Sequence, residues 1–393
     1  MKIQTKAVHA GDRKRHCKAI PVTTPIYTAS SYVYEDVATL DKVFGREVEG
    51  DSYSRYENPT NRALEEQLLA LEGGAAALAT ASGMSAMQFA LLGALLDRRK
   101  RVVSASALYG ATIRMLQSLF EPMGIETTWV DICDLPAVEK ALAEKKPGCV
   151  VMETISNPLL RVGAVDRIAE MTKAAGAALV VDNTFATPVM IRPLEFGANF
   201  VVHSVTKYLA GHGDVLGGAV IADAEHSEQL RAMSRTAGPV LGPFESYLTM
   251  RGIKTFPLRF ERQCANARRI AEWLAAQPGV AKVYFPADPG HPDAGVIARL
   301  FPQGVYGAMI SFEIKGAGKE QVFAFMDKLQ LVVRATSLGD VHSMVLYPAM
   351  SSHRDISPKQ RERVGIRDNL VRLSVGIEDT EDIIADLAAA LEK

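Results

Sequence analysis

Three short segments of the chain contain residues whose types could bind an anion, hold a charged ring and attack an aldehyde. The first, residues 81–85, follows an apolar run and contains Gly83. A glycine lets the backbone approach an anion closely, and the amides that follow it would face the anion at the positive end of a helix. An ordinary strand-to-helix turn explains the same residues, so this segment alone does not decide between the two.

The other two segments close apolar runs that are predicted to be strands. Asp182 could pair with a protonated ring nitrogen, ligate a metal or cap the following turn, because a carboxylate at a strand end needs a partner. Lys207 follows the second run, where apolar surroundings would lower its pKa and make the amine nucleophilic toward an aldehyde. Ser204 and Thr206 could donate hydroxyls to a phosphate. A solvated lysine is the plainer interpretation of Lys207 taken alone.

The three segments become informative together. In open α/β sheets, ligands bind beyond the carboxyl ends of the strands, and all three segments fall there. An anion site, a ring-facing acid and an amine are what pyridoxal 5'-phosphate (PLP) requires. The sequence therefore predicts a PLP enzyme acting on a small amino acid, with Lys207 bound to the cofactor as a Schiff base. Released from the aldehyde, the same amine could shuttle a proton.

Alternating strands and helices would position these segments. Residues 61–71 and 164–175 have helical spacing, and residues 74–96 are interpreted as strand, glycine turn and buried helix rather than a membrane span. Further strands are predicted at residues 101–105, 127–130, 149–153, 178–182 and 200–203. The alternation predicts the α/β class, with a mainly parallel sheet covered by helices on both faces.

A smaller α+β domain is predicted after this sheet. Helices are expected at residues 259–276, at 320–329 and at the C-terminus, and strands at residues 280–285, 308–314 and 370–375. We therefore expect an N-terminal arm over residues 1–57, a PLP-binding domain over 58–250 and a C-terminal domain over 251–393.

Composition excludes several other classes of protein. The chain has 393 residues, with 44 basic and 45 acidic side chains and no basic stripe, which argues against nucleic-acid binding. No apolar segment of signal-peptide length begins the chain, and no membrane association is expected. The four cysteines lack metal-binding or disulfide spacing, which predicts no metal and favours a reducing cytoplasm. They are Cys17, Cys133, Cys149 and Cys264.

Six ordered motifs also resemble a known family. They are YSR at residues 53–55, NPT at 58–60, ASGM at 81–84, VVDNTF at 180–185, HSVTKY at 203–208 and VRLSVG at 371–376. This set resembles the Cys/Met-metabolism (trans-sulfuration) family of fold-type-I PLP enzymes, over nearly the whole chain. The resemblance implies the PLP-dependent transferase fold.

The resemblance assigns the cofactor phosphate to residues from two subunits. Tyr53 and Arg55 would reach the phosphate of the neighbouring subunit, which gives the N-terminal arm a purpose. The phosphate of the same chain would be held by Gly83, Met84, Ser204 and Thr206. A homotetramer built from two active dimers is therefore expected.

The resemblance also assigns the ring and the substrate. Tyr109 would stack on the pyridine ring and assist proton movement, Asp182 would pair with the ring nitrogen, and Asn157 would contact the ring's hydroxyl oxygen. Ser337 and Arg372 would bind the substrate α-carboxylate, with the guanidinium as a bidentate fork.

The reaction implied is γ-elimination or γ-replacement. Arg114 matches an arginine of cystathionine γ-lyases and γ-synthases and suits a distal carboxylate, whereas Ala111 stands where methionine γ-lyases typically have a cysteine. His342 departs from the glutamate with which those two cystathionine enzymes recognise the distal amino group. We expect a cystathionine γ-lyase. Cystathionine γ-synthase, methionine γ-lyase, O-acylhomoserine sulfhydrylase and a non-catalytic PLP-binding homologue remain alternatives.

Overall fold

The computed structural model describes residues 20–351, 354, 361 and 365–392, and these form two sheets. The strands are β1 (Ala76–Thr80), β2 (Arg101–Ala105), β3 (Glu126–Val130), β4 (Cys149–Glu153), β5 (Ala178–Asp182), β6 (Phe200–His203), β7 (Gly218–Ala222), β8 (Val280–Tyr284), β9 (Met309–Ile314), β10 (Val333–Arg334), β11 (Met344–Leu346) and β12 (Leu370–Ser374). The first sheet has the order β1-β7-β6-β5-β4-β2-β3, and the second has the order β10-β11-β12-β9-β8.

The first sheet is mainly parallel, as predicted. Strands β2 to β6 pair in parallel, and β7 runs antiparallel between β1 and β6. The strands β4 and β7 are buried along their whole length because helices cover both faces. The predicted α/β class is confirmed, although β7 was not among the predicted strands.

Helices cover the sheets. They are α1 (Val37–Phe44), α2 (Pro59–Glu72), α3 (Gly83–Leu95), α4 (Gly110–Met115), α5 (Leu135–Lys145), α6 (Val165–Ala174), α7 (Thr187–Met190), α8 (Ser227–Ala237), α9 (Pro243–Ile253), α10 (Phe256–Ala275), α11 (Ala294–Leu300), α12 (Lys319–Lys328) and α13 (Thr380–Leu391). The helices and strands predicted from the sequence agree with these bounds to within three residues.

Local signals explain where the helices nearest the site begin. Asn58 caps α2 through hydrogen bonds from two backbone amides, and Pro59 occupies the first helical position. Ser82 caps α3 by accepting a hydrogen bond from the amide of Ser85. The apolar residues of β1 and α3 are buried within the fold, and no helix of the described ranges has the length and hydropathy needed to cross a membrane.

A buried arginine braces the turn that follows β6. Arg259 of α10 donates hydrogen bonds to the backbone oxygens of Tyr208 (3.0 Å), Leu209 (3.2 Å) and Gly252 (2.9 Å). Burial lowers the pKa of Arg259 to about 10, so the guanidinium stays charged at neutral pH. The residues just after Lys207 are thereby held against the long helix α10.

Two expectations about domain organisation concern the N-terminal arm and the boundary after residue 250. Residues 1–19 of the expected arm, Cys17 among them, lie outside the described residues. The expected domain boundary after residue 250 lies inside α9. The cysteines in the described ranges, Cys133, Cys149 and Cys264, are free thiols.

Candidate active site

The lysine predicted to carry a cofactor lies in a largely buried position. Its Nζ donates a hydrogen bond of 3.0 Å to Oγ of Ser337. Burial, helped by the positive charge of Arg372, lowers the pKa of Lys207 to about 8. The amine is therefore far closer to its neutral, nucleophilic form at neutral pH than an exposed lysine would be.

Close backbone packing brings the Ser337 loop to the lysine. Gly339 has a φ of 75°, and a Cβ at this position would lie 2.6 Å from the amide nitrogen of Tyr208. A side chain there would strain the backbone and push the loop away from Lys207. Gly339 therefore allows the contact between Ser337 and Lys207.

Arg372, on β12, is buried and incompletely hydrogen-bonded. Its Nη1 donates to Oδ1 of Asn157 at 2.9 Å, its Nη2 lies 3.4 Å from the carbonyl oxygen of Ser337, and its Nε has no hydrogen-bond partner among the described residues. Burial lowers the pKa of Arg372 to about 10, so it remains a cation. A buried cation with an unused donor suits the carboxylate of an amino acid.

Glu153, which ends β4, was not among the site residues predicted from the sequence. One of its carboxylate oxygens accepts the amide of Tyr109 at 2.5 Å, and the other accepts the amide of Asn157 at 3.1 Å. Burial, and then the charge of Asp182, raises the pKa of Glu153. The available signal was its position, because Glu153 closes a predicted strand as Asp182 does.

Asp182 ends β5 directly beside Glu153, and the two residues are register partners in parallel strands. Its Oδ1 accepts the amide of Thr184 at 2.9 Å. Burial raises the pKa of Asp182, while the hydrogen bonds from Thr184 and the charge of His203 oppose the rise. A cationic ring nitrogen placed against this carboxylate would supply the counter-charge that burial removes.

At the predicted phosphate site, the start of α3 lies close to the turn after β6. A Cβ on Gly83 would lie 2.8 Å from Cβ of Ser204, so only glycine fits there. Thr184 joins this site to Asp182, because its hydroxyl accepts the amide of Ser204 at 2.9 Å. Gly83 and Met84 form the first turn of α3, where amides have no partner within the helix.

The hydroxyl of Thr206, which was expected to bind the phosphate, is hydrogen-bonded to the backbone of Gly217. The hydroxyl donates to the carbonyl oxygen of Gly217 at 3.1 Å and accepts the amide of Gly217 at 2.9 Å. A hydroxyl has a single proton to donate, and here it is already used. Ser204 is therefore the better donor for a phosphate in this conformation.

The expected cross-subunit residues lie on the surface of the chain. Tyr53 is 42% exposed, and the guanidinium of Arg55 lies over the rings of Tyr56 (4.6 Å) and Tyr53 (5.5 Å). Arg55 also donates to the backbone oxygen of Arg235. These contacts leave both residues outside the Lys207 cluster of their own chain, and their role toward a second subunit stays a prediction.

The two residues expected to select the substrate, Arg114 and His342, have exposed side chains. Arg114 lies on α4, five residues after Tyr109. His342 has a side chain that is 65% exposed, and its Nδ1 lies 3.0 Å from Oδ1 of the buried Asp340. The buried carboxylate of this loop is thus already paired with a histidine.

Three structural features of these residues match the phosphate, the ring nitrogen and the ring face of PLP. The close approach at Gly83 leaves helix amides for a phosphate, and the half-buried Asp182 forms no ion pair with a cationic side chain of the described residues. Tyr109, just before α4, is 44% exposed, so part of its surface is accessible to a ligand. The fold and this constellation define a fold-type-I PLP-dependent enzyme.

Comparison with known proteins gives the family. Residues 4–392 match the family described as Cys/Met metabolism PLP-dependent enzyme. The chain belongs to this family, whose members act in methionine, cysteine and cystathionine metabolism and use PLP. The resemblance inferred from the six motifs is confirmed.

Relatives with different activities are similarly close. The chain is 41% identical to the L-methionine gamma-lyase of Fusobacterium nucleatum subsp. polymorphum. The alignment covers 99% of this chain and 98% of that protein. It is 40% identical to the cystathionine gamma-lyase of Bacillus subtilis, over 100% of both chains. It is 39% identical to the O-succinylhomoserine sulfhydrylase of Pseudomonas aeruginosa, over 98% of this chain and 94% of that one.

A solved structure supports the fold assignment. The cystathionine gamma synthase of Xanthomonas oryzae pv. oryzae in complex with cystathionine superposes with a TM-score of 0.88 at 40% identity, covering 98% of this chain and 97% of that chain. The chain is thus a carbon-sulfur lyase or a γ-replacement enzyme of this family.

Proposed function

We propose that this enzyme is a cystathionine γ-lyase, which cleaves cystathionine to cysteine, 2-oxobutanoate and ammonia. The observation that carries the proposal is the largely buried amine of Lys207, 3.0 Å from Ser337 and beside the cation of Arg372. An amino acid whose carboxylate binds Arg372 and Ser337 would have its Cα within reach of this amine.

Each site residue would have its own role in such a reaction. Bound PLP would supply an electron-withdrawing ring that makes the α-proton acidic. The neutral amine of Lys207 would take a proton from Cα, pass it on, and then take a proton from Cβ, while Arg372 would hold the carboxylate. Asp182 would be the counter-charge for a protonated ring nitrogen, and Tyr109 would be the aromatic residue available to stack on the ring. Loss of the γ-substituent requires protons to leave both Cα and Cβ, and a single mobile amine can serve both.

Two observations favour cystathionine over methionine. Arg114, on α4, offers a cation for a second, distal carboxylate, which cystathionine has and methionine lacks. Ala111 stands where methionine γ-lyases typically have a cysteine.

His342 favours a second candidate, γ-replacement on O-succinylhomoserine. A distal ammonium would require an anion, but the buried carboxylate of this loop, Asp340, is already hydrogen-bonded to His342. A succinyl carboxylate would instead be attracted by the cation of Arg114. The Pseudomonas aeruginosa relative, an O-succinylhomoserine sulfhydrylase, is 39% identical.

A substrate panel tests the proposal. The purified enzyme is incubated with L-cystathionine, L-methionine, or O-succinyl-L-homoserine with and without sulfide or cysteine, and 2-oxobutanoate, ammonia and sulfur products are measured. Cystathionine should give the highest kcat/KM, with equimolar 2-oxobutanoate and cysteine. Product formation that requires an added thiol would instead identify a γ-replacement enzyme.

We also propose the assembly and the compartment. Exposed Tyr53 and Arg55 suit a reach into the site of a second subunit, so the expected assembly is a homotetramer of two active dimers. Residues 1–57 would form the arm, 58–250 the PLP-binding domain and 251–393 the C-terminal domain. The cysteine spacing favours the cytoplasm. A fully active, PLP-loaded monomer in sedimentation velocity would contradict the shared site.

A further inference from the structure

Glu153 is a buried carboxyl that the proposed mechanism does not use. It is 8% exposed and ends β4, directly beside Asp182 at the end of β5. Register partners on parallel strands point to the same face of a sheet. The side chain of Glu153 therefore lies on the face of the sheet that carries the ring-binding acid.

Both oxygens of this carboxyl bind backbone groups of residues that contact the proposed ring site. One oxygen accepts the amide of Tyr109 at 2.5 Å, and the other accepts the amide of Asn157 at 3.1 Å. Tyr109 is the N-cap residue of α4, and its side chain makes no capping hydrogen bond. The contact with Glu153 thus ties the start of α4 to the end of β4, next to the Tyr109 side chain.

The same carboxyl begins a continuous path of contacts to the lysine. From Asn157 the path runs to the guanidinium of Arg372 at 2.9 Å, and from there to the backbone oxygen of Ser337 at 3.4 Å. The hydroxyl of Ser337 then accepts from Lys207. Glu153 thus connects this path to Tyr109, the residue expected to stack on the ring.

We propose that Glu153 is a positioning residue that orients the cofactor ring by holding the backbone amides of Tyr109 and Asn157. This proposal rests on the proposed function, because it requires the ring to lie between Tyr109 and Asp182. Here each of two N–H donors binds a separate oxygen, and a carboxylate supplies both acceptors.

The chemistry of this position limits the side chains that could replace it. Glutamine has the same length but presents one amide group as a donor, which would face a backbone N–H and lose one of the two hydrogen bonds. Aspartate keeps both oxygens but is one methylene shorter, so it cannot reach the two amides in the same geometry. Burial and Asp182 oppose the charge of Glu153, whereas the two amides and Arg372 favour it.

The experiment compares the holoenzyme and its variants Glu153→Gln and Glu153→Asp. The dissociation constant for PLP, the circular dichroism of the visible cofactor band, and kcat and KM are measured separately. We expect Glu153→Gln to weaken PLP binding at least tenfold, change the sign or intensity of the cofactor band and lower kcat more than it raises KM. Glu153→Asp should recover part of each property.

Glu313→Gln is the matched control. Glu313 is 2% exposed and also accepts from two donors, Tyr284 at 2.6 Å and Arg367 at 3.3 Å, but neither donor belongs to the site. Its substitution should change the unfolding midpoint and leave the cofactor band unchanged. A glutamine substitution that acts only by general destabilisation would behave alike at both positions.

Two results would overturn the inference. One is a folded Glu153→Gln enzyme whose PLP affinity and band lie within twofold of the unsubstituted values. The other is loss of folding in both Glu153 variants even without PLP, which would make Glu153 a purely structural residue. A failure of the proposed function looks different, because the unsubstituted protein would then show no cofactor band or no γ-cleavage.

Discussion

The amine of Lys207 lies 3.0 Å from the hydroxyl of Ser337, although 130 residues separate them along the chain. The contact joins the turn after β6 in the first sheet to the loop before β11 in the second. A hydroxyl accepts from a charged amine and donates to a neutral one, so the pair is compatible with both protonation states. The contact is therefore compatible with a lysine that gains and loses a proton during turnover.

Replacing Lys207 by alanine should abolish the visible cofactor band and lower kcat by at least about 10³-fold, because the proton-transfer group is lost. Lys254→Ala, at an exposed lysine, is the control and should behave as the unsubstituted enzyme does. Absorption spectra and steady-state assays measure both effects. Full activity with an unchanged band in Lys207→Ala would refute the assignment.

The pKa of Lys207 predicts how cofactor uptake depends on pH. Burial lowers this pKa to about 8, and only the neutral amine attacks an aldehyde. Since the neutral fraction grows from about one tenth at pH 7 to about nine tenths at pH 9, the rate of PLP uptake by the apoenzyme should rise nearly tenfold and then level off. Stopped-flow absorbance checks this. A rate still rising steeply above pH 10 would mean that the amine is unperturbed.

Arg372→Lys should impair binding of the amino acid more than binding of the cofactor. Lysine keeps the charge but loses the two-pronged contact with a carboxylate, which is worth roughly 1.5–3 kcal/mol, or about a 10- to 150-fold loss in kcat/KM. Arg367→Lys, at a largely exposed arginine that contacts Glu313, is the matched control. An unchanged KM in Arg372→Lys would assign the carboxylate to another group.

Arg114→Ala should reduce kcat/KM for cystathionine by about 10- to 150-fold and leave the value for methionine within about threefold. The reason is that only cystathionine has a distal carboxylate for this cation to bind. Parallel assays with both substrates give the comparison. Equal losses on both would make Arg114 a structural residue and the enzyme a broad γ-lyase.

His342→Glu should shift preference toward cystathionine, because it adds an anion opposite the expected distal ammonium. A roughly tenfold increase in the cystathionine-to-methionine ratio of kcat/KM is expected. His342→Gln, which has no charge, separates the gain of an anion from the loss of the histidine. If both variants change the ratio equally, the new charge does not select the substrate.

Much of the site could be predicted because its residues follow strand ends. Asp182 and Lys207 each close an apolar run, and the carboxyl ends of parallel strands lie along one edge of a sheet. The hydrogen bonds among the predicted residues Lys207, Ser337, Arg372 and Asn157 bring them together, although their roles toward a cofactor remain to be tested.

Other features depend on contacts between distant segments. Glu153 closes a predicted strand, but it binds the backbone amide of a residue 44 positions away in the chain. Such a contact to a backbone group cannot be inferred from the spacing of side-chain types. The strand β7 was missed for a similar reason. It is a short run beginning at Gly218, and its place between β1 and β6 depends on antiparallel pairing with β1, which lies much earlier in the chain. The hydroxyl of Thr206 is occupied by this same segment, at Gly217.

The brace formed by Arg259 has a thermodynamic consequence. Its guanidinium binds the carbonyl oxygens of Tyr208 and Leu209, directly after Lys207, and that of Gly252 near the end of α9. A state in which α10 detaches would lose these hydrogen bonds to the turn after Lys207, and we expect such a state to bind the cofactor more weakly. A ligand that binds only the intact arrangement stabilises it by mass action. Cofactor binding and the cohesion of the two sheets are therefore linked equilibria, and the holoenzyme should unfold as a single cooperative unit.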